Sequence, residues 1–309
     1  MSASDGASQQ RGKFRQDMET ILDKASKMSS DELMFSYEGF LYPSLVCSKE
    51  TIEALKSFEA REDDLLNVTY PKCGTNWVIQ ILREMVYSLN NKESLIDQAI
   101  IELIKPDILQ NLKNIPSPRV LSTHFYYDAI PNSFLEKKVK MLVVFRNPKD
   151  AAVSYFHFYN NNPVLPNYSS WDVFFQHFIS GKVFWGSYFD HAVVWNKHID
   201  DENVLLLTFE EMKEDLPLQL KKISDFYGLA LTDEQIQLVA SKTTFTSMKD
   251  KSKTTHGKLS EAFFRKGEIG DWKSLFTEAQ SKEVDAKFEQ YLGGTKLGEK
   301  LKYKKYCTF

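Results

Sequence analysis

Residues 65 to 77 read Leu65-Leu66-Asn67-Val68-Thr69-Tyr70-Pro71-Lys72-Cys73-Gly74-Thr75-Asn76-Trp77, and the chain continues Val78-Ile79-Gln80-Ile81-Leu82-Arg83-Glu84-Met85-Val86-Tyr87-Ser88-Leu89. The apolar run from Leu65 to Tyr70 has strand character and stops at Pro71. A short turn follows, with a lysine, a glycine and small hydrogen-bonding residues. Val78, Ile81, Leu82, Met85 and Leu89 then fall at i, i+3, i+4, i+7 and i+11, one face of a helix. Strand, tight turn and helix N-terminus together make an anion site. The backbone N–H groups point at the ligand, and the helix dipole favours negative charge. Lys72 adds a mobile positive charge. The ligand class implied is a phosphate or sulfate group. The competing reading is an ordinary strand-to-helix crossover with a surface lysine.

Two familiar phosphate motifs are excluded. The nucleoside-triphosphate loop needs G-x-x-x-x-G-K-[ST], with a hydroxyl after the lysine to hold magnesium. Here Lys72 precedes Gly74, and Cys73 follows the lysine. No G-x-G-x-x-G follows a strand, so the dinucleotide fingerprint is absent.

The chain has 309 residues, 42% hydrophobic and 26% charged, which is an ordinary globular composition with length enough for a sizeable core. The formal net charge of -3 argues against a nucleic-acid partner. The 22 Phe and 14 Tyr suit a pocket for flat apolar ligands as well as a core. Met1 to Arg15 carry no apolar signal core, and no stretch reads as a membrane span, so neither a membrane nor an export route is expected. Three cysteines, Cys47, Cys73 and Cys307, follow no framework spacing, which fits a reducing compartment. A cytosolic chain is expected.

Residues 1–12 read as a disordered tail and 13–309 as a single domain. A helical stretch is expected over Phe14 to Met28. Buried strands are expected at Leu65–Tyr70, Arg119–His124, Val139–Arg146 and Val204–Phe209. Helical patterns cover Asp150–Tyr159, Trp171–Ser180, Ser187–His198 and Leu216–Tyr227. Continuous apolar strands alternating with helices argue for a parallel sheet covered on both faces, hence an α/β fold. Ligands then bind at the carboxyl ends of the strands. That brings Lys72, His124, Arg146 and Phe209 to one edge of the sheet. Residues 242 to 267, rich in Lys, Thr and Ser, read as a long irregular lid or a mobile surface loop. Gly293 to Phe309, with five lysines, reads as a solvated end.

Several residues suit chemistry at that edge. Arg146 closes a strand and suits bidentate capture of a phosphate, or else pairs with Asp150. Ser154 lies two turns into the next helix and offers a hydroxyl to the same anion, or sits on the helix surface. His124, at another strand end, suits general-base work near neutral pH, or is simply a hydrogen-bonded histidine. His191 and His198 share a helix face without a third ligand, so no metal site is expected. Arg265-Lys266-Gly267 with Gly270-Asp271-Trp272 forms a basic turn that caps a second phosphate or lies exposed. Two separate basic clusters suit a ligand with phosphates at two ends.

Taken together, Tyr70-Pro71-Lys72-x-Gly74-Thr75-x-Trp77, Thr123-His124, Arg146-Asn147-x-Lys149-Asp150 with Ser154, and Arg265-Lys266-Gly267-x-x-Gly270-Asp271-Trp272-Lys273 resemble the cytosolic sulfotransferase family over nearly the whole chain. The sequence is most similar to the family-six B branch. The resemblance implies a single α/β domain and the sulfonate donor 3'-phosphoadenylyl sulfate (PAPS), with 3',5'-bisphosphoadenosine (PAP) as product and no metal. It implies that Lys72, Cys73, Gly74, Thr75, Asn76 and Trp77 hold the 5'-phosphosulfate. Arg146, Ser154, Arg265, Lys266 and Gly267 would hold the 3'-phosphate. Trp77 and Phe245 would sandwich the adenine, with Phe209, Thr243, Thr244 and Met248 beside it. His124 would be the base, Lys72 the leaving-group stabiliser, and Ser154 a partner that restrains Lys72 until the acceptor binds. Phe125, Tyr126, Phe158 and Trp185 are candidate acceptor walls, each equally readable as core. The acceptor would be a small hydroxyl or amine compound, aromatic or steroid-like, such as a phenol or an iodothyronine. The alternative is a donor-binding protein with little or no activity.

The chain departs from the family pattern at four places. Cys73 replaces the commoner Ser, and a thiol beside Lys72 at a helix start is expected to have a lowered pKa. Ser122 stands where many relatives carry Lys. Phe209 replaces a Tyr. The family's dimer segment appears as Lys273-x-x-x-Thr277-Glu278-x-x-x-Lys282, so the usual homodimer is in doubt at Glu278 and Lys282.

Overall fold

The computed structural model describes residues 19–90, 99–256 and 260–309. The expected tail over 1–12 lies outside them, as does the start of the helix expected from Phe14, whose described part is helical over 19–25.

Strands β1 (Met34–Tyr37) and β2 (Phe40–Pro43) form an antiparallel hairpin. Strands β3 (Leu65–Thr69), β4 (Val120–Thr123), β5 (Met141–Phe145) and β6 (Val204–Thr208) form a four-stranded parallel sheet in the order β4-β3-β5-β6. These are the strands expected from the apolar runs. Alternate residues feed two cores. Met141, Val143 and Phe145 pack with the helices Pro148–Asn160 and Trp171–Ile179, whereas Leu142 and Val144 pack with Thr75–Asn90. A strand buried on both faces has no polar alternation, which is why these runs are continuously apolar. Full burial of each such Val, Leu or Phe stabilises the fold by about 1.5–3 kcal/mol.

The topology creates a crevice. The chain leaves β3 through Thr75–Asn90 on one face and reaches β4 on one side. It leaves β5 through Pro148–Asn160 on the other face and reaches β6 on the opposite side. Right-handed crossovers running in opposite directions must use opposite faces. The turns after β3 and β5 therefore diverge, and a ligand crevice opens between them at the carboxyl edge.

Two expectations fail. The stretch from residue 242 to 267 is not a long irregular segment. Lys242 ends the helix Asp233–Lys242, and Phe245–His256 and Ser260–Phe263 are also helical. Phe245, Met248 and Ser252 share a face at i, i+3 and i+7, with Met248 and Ser252 buried, and the Thr244 hydroxyl accepts from Ser247 N–H at 3.2 Å. The polar residues between them hid that period. The C-terminal segment is not a solvated end either. Leu297, Leu301, Tyr306 and Cys307 are buried, and the Cys307 carbonyl accepts from buried Lys149 at 2.6 Å. Its five lysines flank these apolar anchors rather than replacing them.

Candidate active site

The turn after β3 shows how a short sequence builds an anion cradle. Lys72 has φ 69 and Gly74 φ 110, so the backbone doubles back before the helix begins at Thr75. A Cβ on Gly74 would come 3.3 Å from the Phe209 ring, so glycine suits both the conformation and the contact. Thr75 and Thr69 hydroxyls lie 2.7 Å apart and tie helix to strand. The helix runs sixteen residues and has no acid in its first turn. Its leading N–H groups have no partner within the helix.

One cavity of about 240 Å³ lies along the carboxyl edge, and Lys72, His124, Arg146 and Phe209 all line it. The convergence expected from the strand ends is therefore present. Lys213, Arg265 and Lys266 line it too, against a single acidic lining residue among the described residues, Glu268. Burial, then the charges of Arg146 and Arg265, push the Lys72 ammonium down to about 7. That group lies 4.1 Å over the Phe158 ring, and it makes no hydrogen bond to Ser154.

Arg146 is fixed from several sides. Its Nη2 donates to the Glu268 carbonyl at 2.6 Å, its guanidinium lies 4.4 Å from the Phe209 centroid, and Asp150 sits at 3.8 Å. Its Nε is buried and has no hydrogen-bond partner among the described residues, a donor left over at the cavity edge. Asp150 explains how the second basic turn reaches the first. Its carboxylate accepts from Gly270 N–H at 2.8 Å and Trp272 N–H at 2.9 Å. Arg265 and Lys266 both pair with Asp271. So the pairing with Asp150 and the cavity position of Arg146 hold together.

At the far end of the basic clusters lie aromatic rings. Trp77 and Phe209 meet edge to face at 5.4 Å, and Trp77, Phe245 and Met248 line the cavity. Thr243 and Thr244 do not. The Thr243 carbonyl accepts from Trp77 Nε1 at 2.8 Å and so aims the indole, while Thr244 caps the following helix. Gly267 has φ 65, and a Cβ there would come 2.6 Å from Cε2 of Phe245.

Cys73 is fully buried and does not line the cavity. Burial pushes its thiol up to about 12, opposing the pull of Arg146. The expected lowering is overturned, because the turn at Lys72 directs this side chain into the core. The Ser122 hydroxyl is likewise internal, accepting from Asn67 Nδ2 at 2.9 Å.

His124 Nδ1 lies 2.8 Å from the Thr69 carbonyl. A carbonyl can only accept, so Nδ1 carries the proton and Nε2 keeps a lone pair. Burial, opposed by that bond and reinforced by Lys72, lowers its pKa to about 4. The ring is therefore neutral at pH 7. His191 is buried among aromatic rings and His198 pairs with Asp201 at 2.9 Å, so the two do not form a pair. Among the described residues no cluster of His, Cys, Asp and Glu has metal-ligand form, and no helix is long and apolar enough to cross a membrane.

Of the four expected acceptor walls, Phe158 and Trp185 line the cavity. Phe125 and Tyr126 do not. Phe125 is buried and lines a separate recess, and the Tyr126 hydroxyl donates to the Ser187 carbonyl at 2.9 Å. The walls that sequence reasoning missed include Pro43, Val46, Ile100, Leu103, Val164 and Leu165. The hairpin signal Ser36-Tyr37-Glu38-Gly39-Phe40-Leu41-Tyr42-Pro43 was the available pointer to the first two.

Comparison with known proteins agrees with this geometry. The sulfotransferase domain model matches residues 62–296. Mouse (Mus musculus) sulfotransferase 6B1 is 47% identical over 298 residues, 96% of this chain and 98% of that protein. Dog (Canis lupus familiaris) sulfotransferase 1A1 is 38% identical over 265 residues, 80% of this chain and 90% of that one. The crystal structure of mouse sulfotransferase SULT7A1 complexed with PAP superposes with a TM-score of 0.80 at 35% identity, covering 89% of this chain and all of that one. The fold, the strand-end convergence and these matches agree: the chain belongs to the sulfotransferase family.

Proposed function

We propose that this chain transfers the sulfonate of PAPS to the hydroxyl of a small, neutral, flat acceptor such as a phenol, steroid or iodothyronine. The single observation that carries the reading is one cavity holding both a cationic end and an apolar end, with the bare Nε2 of His124 beside Lys72. The PAP in the mouse SULT7A1 complex supports the donor. The residues fit such a donor. The acid-free helix start and Lys72 suit a 5'-phosphosulfate. Arg146, with its spare Nε, and the Arg265–Gly267 turn suit a 3'-phosphate. Trp77 and Phe245 suit the adenine.

In the proposed reaction, His124 Nε2 accepts the acceptor's hydroxyl proton. The acceptor oxygen bonds to sulfur as the sulfur–oxygen bond to the phosphate breaks. The electron pair stays on the departing phosphate oxygen, where Lys72 and the helix N-terminus stabilise it. PAP and a sulfate ester result. The two negative charges of the phosphosulfate favour the charged form of Lys72 and so offset the lowering caused by burial.

The acceptor end is lined by Pro43, Val46, Ile100, Leu103, Phe158 and Trp185. Among the described residues the one lining carboxylate, Glu268, gives its carbonyl to Arg146 at the other end. Among the described residues a cationic amine therefore finds no counter-ion at the acceptor end, which favours neutral hydroxyl compounds over amines. The test is a panel of phenols, steroids, iodothyronines and amines with labelled PAPS. Turnover of flat hydroxyl compounds ahead of amines is expected. PAP binding with no turnover across the panel would overturn the reading in favour of a donor-binding protein.

A further inference from the structure

Behind the His124 imidazole, outside the cavity, lies a carboxylate that the reaction above does not use. Glu102 sits in the short turn Ile101–Leu103, is fully buried and does not line the cavity. The turn is sewn to β4, where Ser122 N–H donates to the Ala99 carbonyl at 2.7 Å and Ile100 bridges Ser122. Glu102 Oε1 accepts from the His124 backbone N–H at 2.7 Å. Its Oε2 and the Trp185 indole Nε1 are both buried and make no hydrogen bond of good geometry among the described residues. Even so, the Trp185 N–H and the Thr123 hydroxyl face the carboxyl and favour its charged form. The Trp185 ring stands edge-on to the His124 imidazole at 4.9 Å. Trp185 also has φ 59, a conformation that a bulky residue adopts only where its surroundings enforce it. One carboxyl thus holds the backbone of the histidine and faces the indole packed against its ring.

A carbonyl would satisfy one backbone N–H at far lower desolvation cost than a buried carboxylate. A carboxyl in that place therefore points to a task beyond the one hydrogen bond. We propose that Glu102 is a positioning residue for His124: it fixes the end of β4 and offsets the positive charge that the imidazole acquires on taking the acceptor proton. This rests on the reading of His124 as the base. Nδ1 is already held by the Thr69 carbonyl, so the carboxylate acts from the backbone side of the residue.

The groups facing Glu102 are His124 and Thr123 from the end of β4, Trp185 from its loop, Tyr42 from β2 and Cys47 beyond it. Burial raises Tyr42 well above its ordinary value and Cys47 to about 12, so neither titrates near neutrality. Burial raises Glu102 to about 7, opposed by its hydrogen bonds. The carboxylate is charged above that value, so the rate it supports falls as pH drops through it. Burial holds Lys72 down to about 7 in the free protein, but the bound donor favours its charged form, so it sets no limb near neutrality in the PAPS assay.

The test is Glu102→Gln, which keeps an oxygen for the His124 N–H and removes the charge. PAP binding, melting temperature, and kcat and KM for 4-nitrophenol with PAPS are measured between about pH 5 and 9. Retained PAP binding and melting are expected, with kcat about tenfold to hundredfold lower, little change in acceptor KM, and the acid limb near neutrality gone. A kcat and pH profile like those of the unaltered chain would overturn the proposal. A variant-free measurement guards against misfolding and against a wrong acceptor: the backbone amide shift of His124, followed by NMR in the unaltered protein with PAP. A midpoint near neutrality supports the proposal, and a flat shift across the same range overturns it. Failure to turn over 4-nitrophenol would count against the acceptor assignment alone.

Discussion

At the residue scale, the strand ends announce themselves and the side-chain directions do not. Lys72, His124 and Arg146 each close an apolar run, so their meeting at one edge was legible from spacing alone. Cys73 was misread because the turn geometry at Lys72, with φ 69, decides which way the next side chain points, and no local pattern encodes it. Glu102 was missed for a related reason. An acid inside Ile100-Ile101-Glu102-Leu103-Ile104 looks exposed until the turn folds onto β4. The residue with the clearest consequence is His124. Removing its ring leaves the Lys72 turn and the Arg265 turn in place, so His124→Ala is expected to bind PAP normally. It is expected to lose about 10²–10⁴ in turnover, or ~3–5 kcal/mol of barrier, as loss of a general base does. Calorimetry with PAP and a labelled-donor assay separate the two quantities. Near-normal turnover would remove His124 from the base role.

At the scale of elements, continuous apolar strands and 3.6-residue helices were readable because burial on both faces leaves a strong pattern. Leu216–Tyr227 is found as expected, and Pro148–Asn160 starts earlier because Pro148 suits the first helical position. The segment from 242 to 267 defeated that reasoning because its helix buries only a narrow stripe. That segment carries Phe245 against Gly267, and the contact gives Gly267 a testable role. Gly267→Ala combines a left-handed backbone with a Cβ that would collide with the Phe245 ring. The ring must shift, and with it the surface offered to the adenine. A cost of about 1–2 kcal/mol, or roughly 5–30-fold weaker PAP binding, is expected. Turnover at saturating PAPS should change far less, since His124 and Lys72 lie at the other end of the donor. Unchanged PAP affinity by calorimetry would show that Phe245 does not depend on the absence of a side chain there.

At the scale of the whole molecule, long-range ties decide what local patterns cannot. The last residues return to the start of the helix Pro148–Asn160, directly beside the donor-side turn. Lys149 is fully buried, and its ammonium reaches Ser281 Oγ at 2.6 Å, the Cys307 carbonyl at 2.6 Å and Asp285 at 2.7 Å. Trp272 Nε1 donates to the Tyr306 carbonyl at 2.8 Å, and the Phe309 ring meets Trp272 at 4.8 Å. Next to Lys149, Asp150 holds the Gly270 and Trp272 N–H groups. Deleting Cys307–Phe309 therefore takes an acceptor from a buried ammonium, at about 1–3 kcal/mol, and an aromatic contact worth about 0.5–1.5 kcal/mol. The melting temperature is expected to fall by about 2–7 °C. Well below that temperature, PAP affinity should also fall, because the turn that carries Arg265 loses its backing at Trp272. A fall in melting temperature with PAP affinity intact would confine the segment to stability. Both unchanged would mean that Lys149 finds equivalent partners without it.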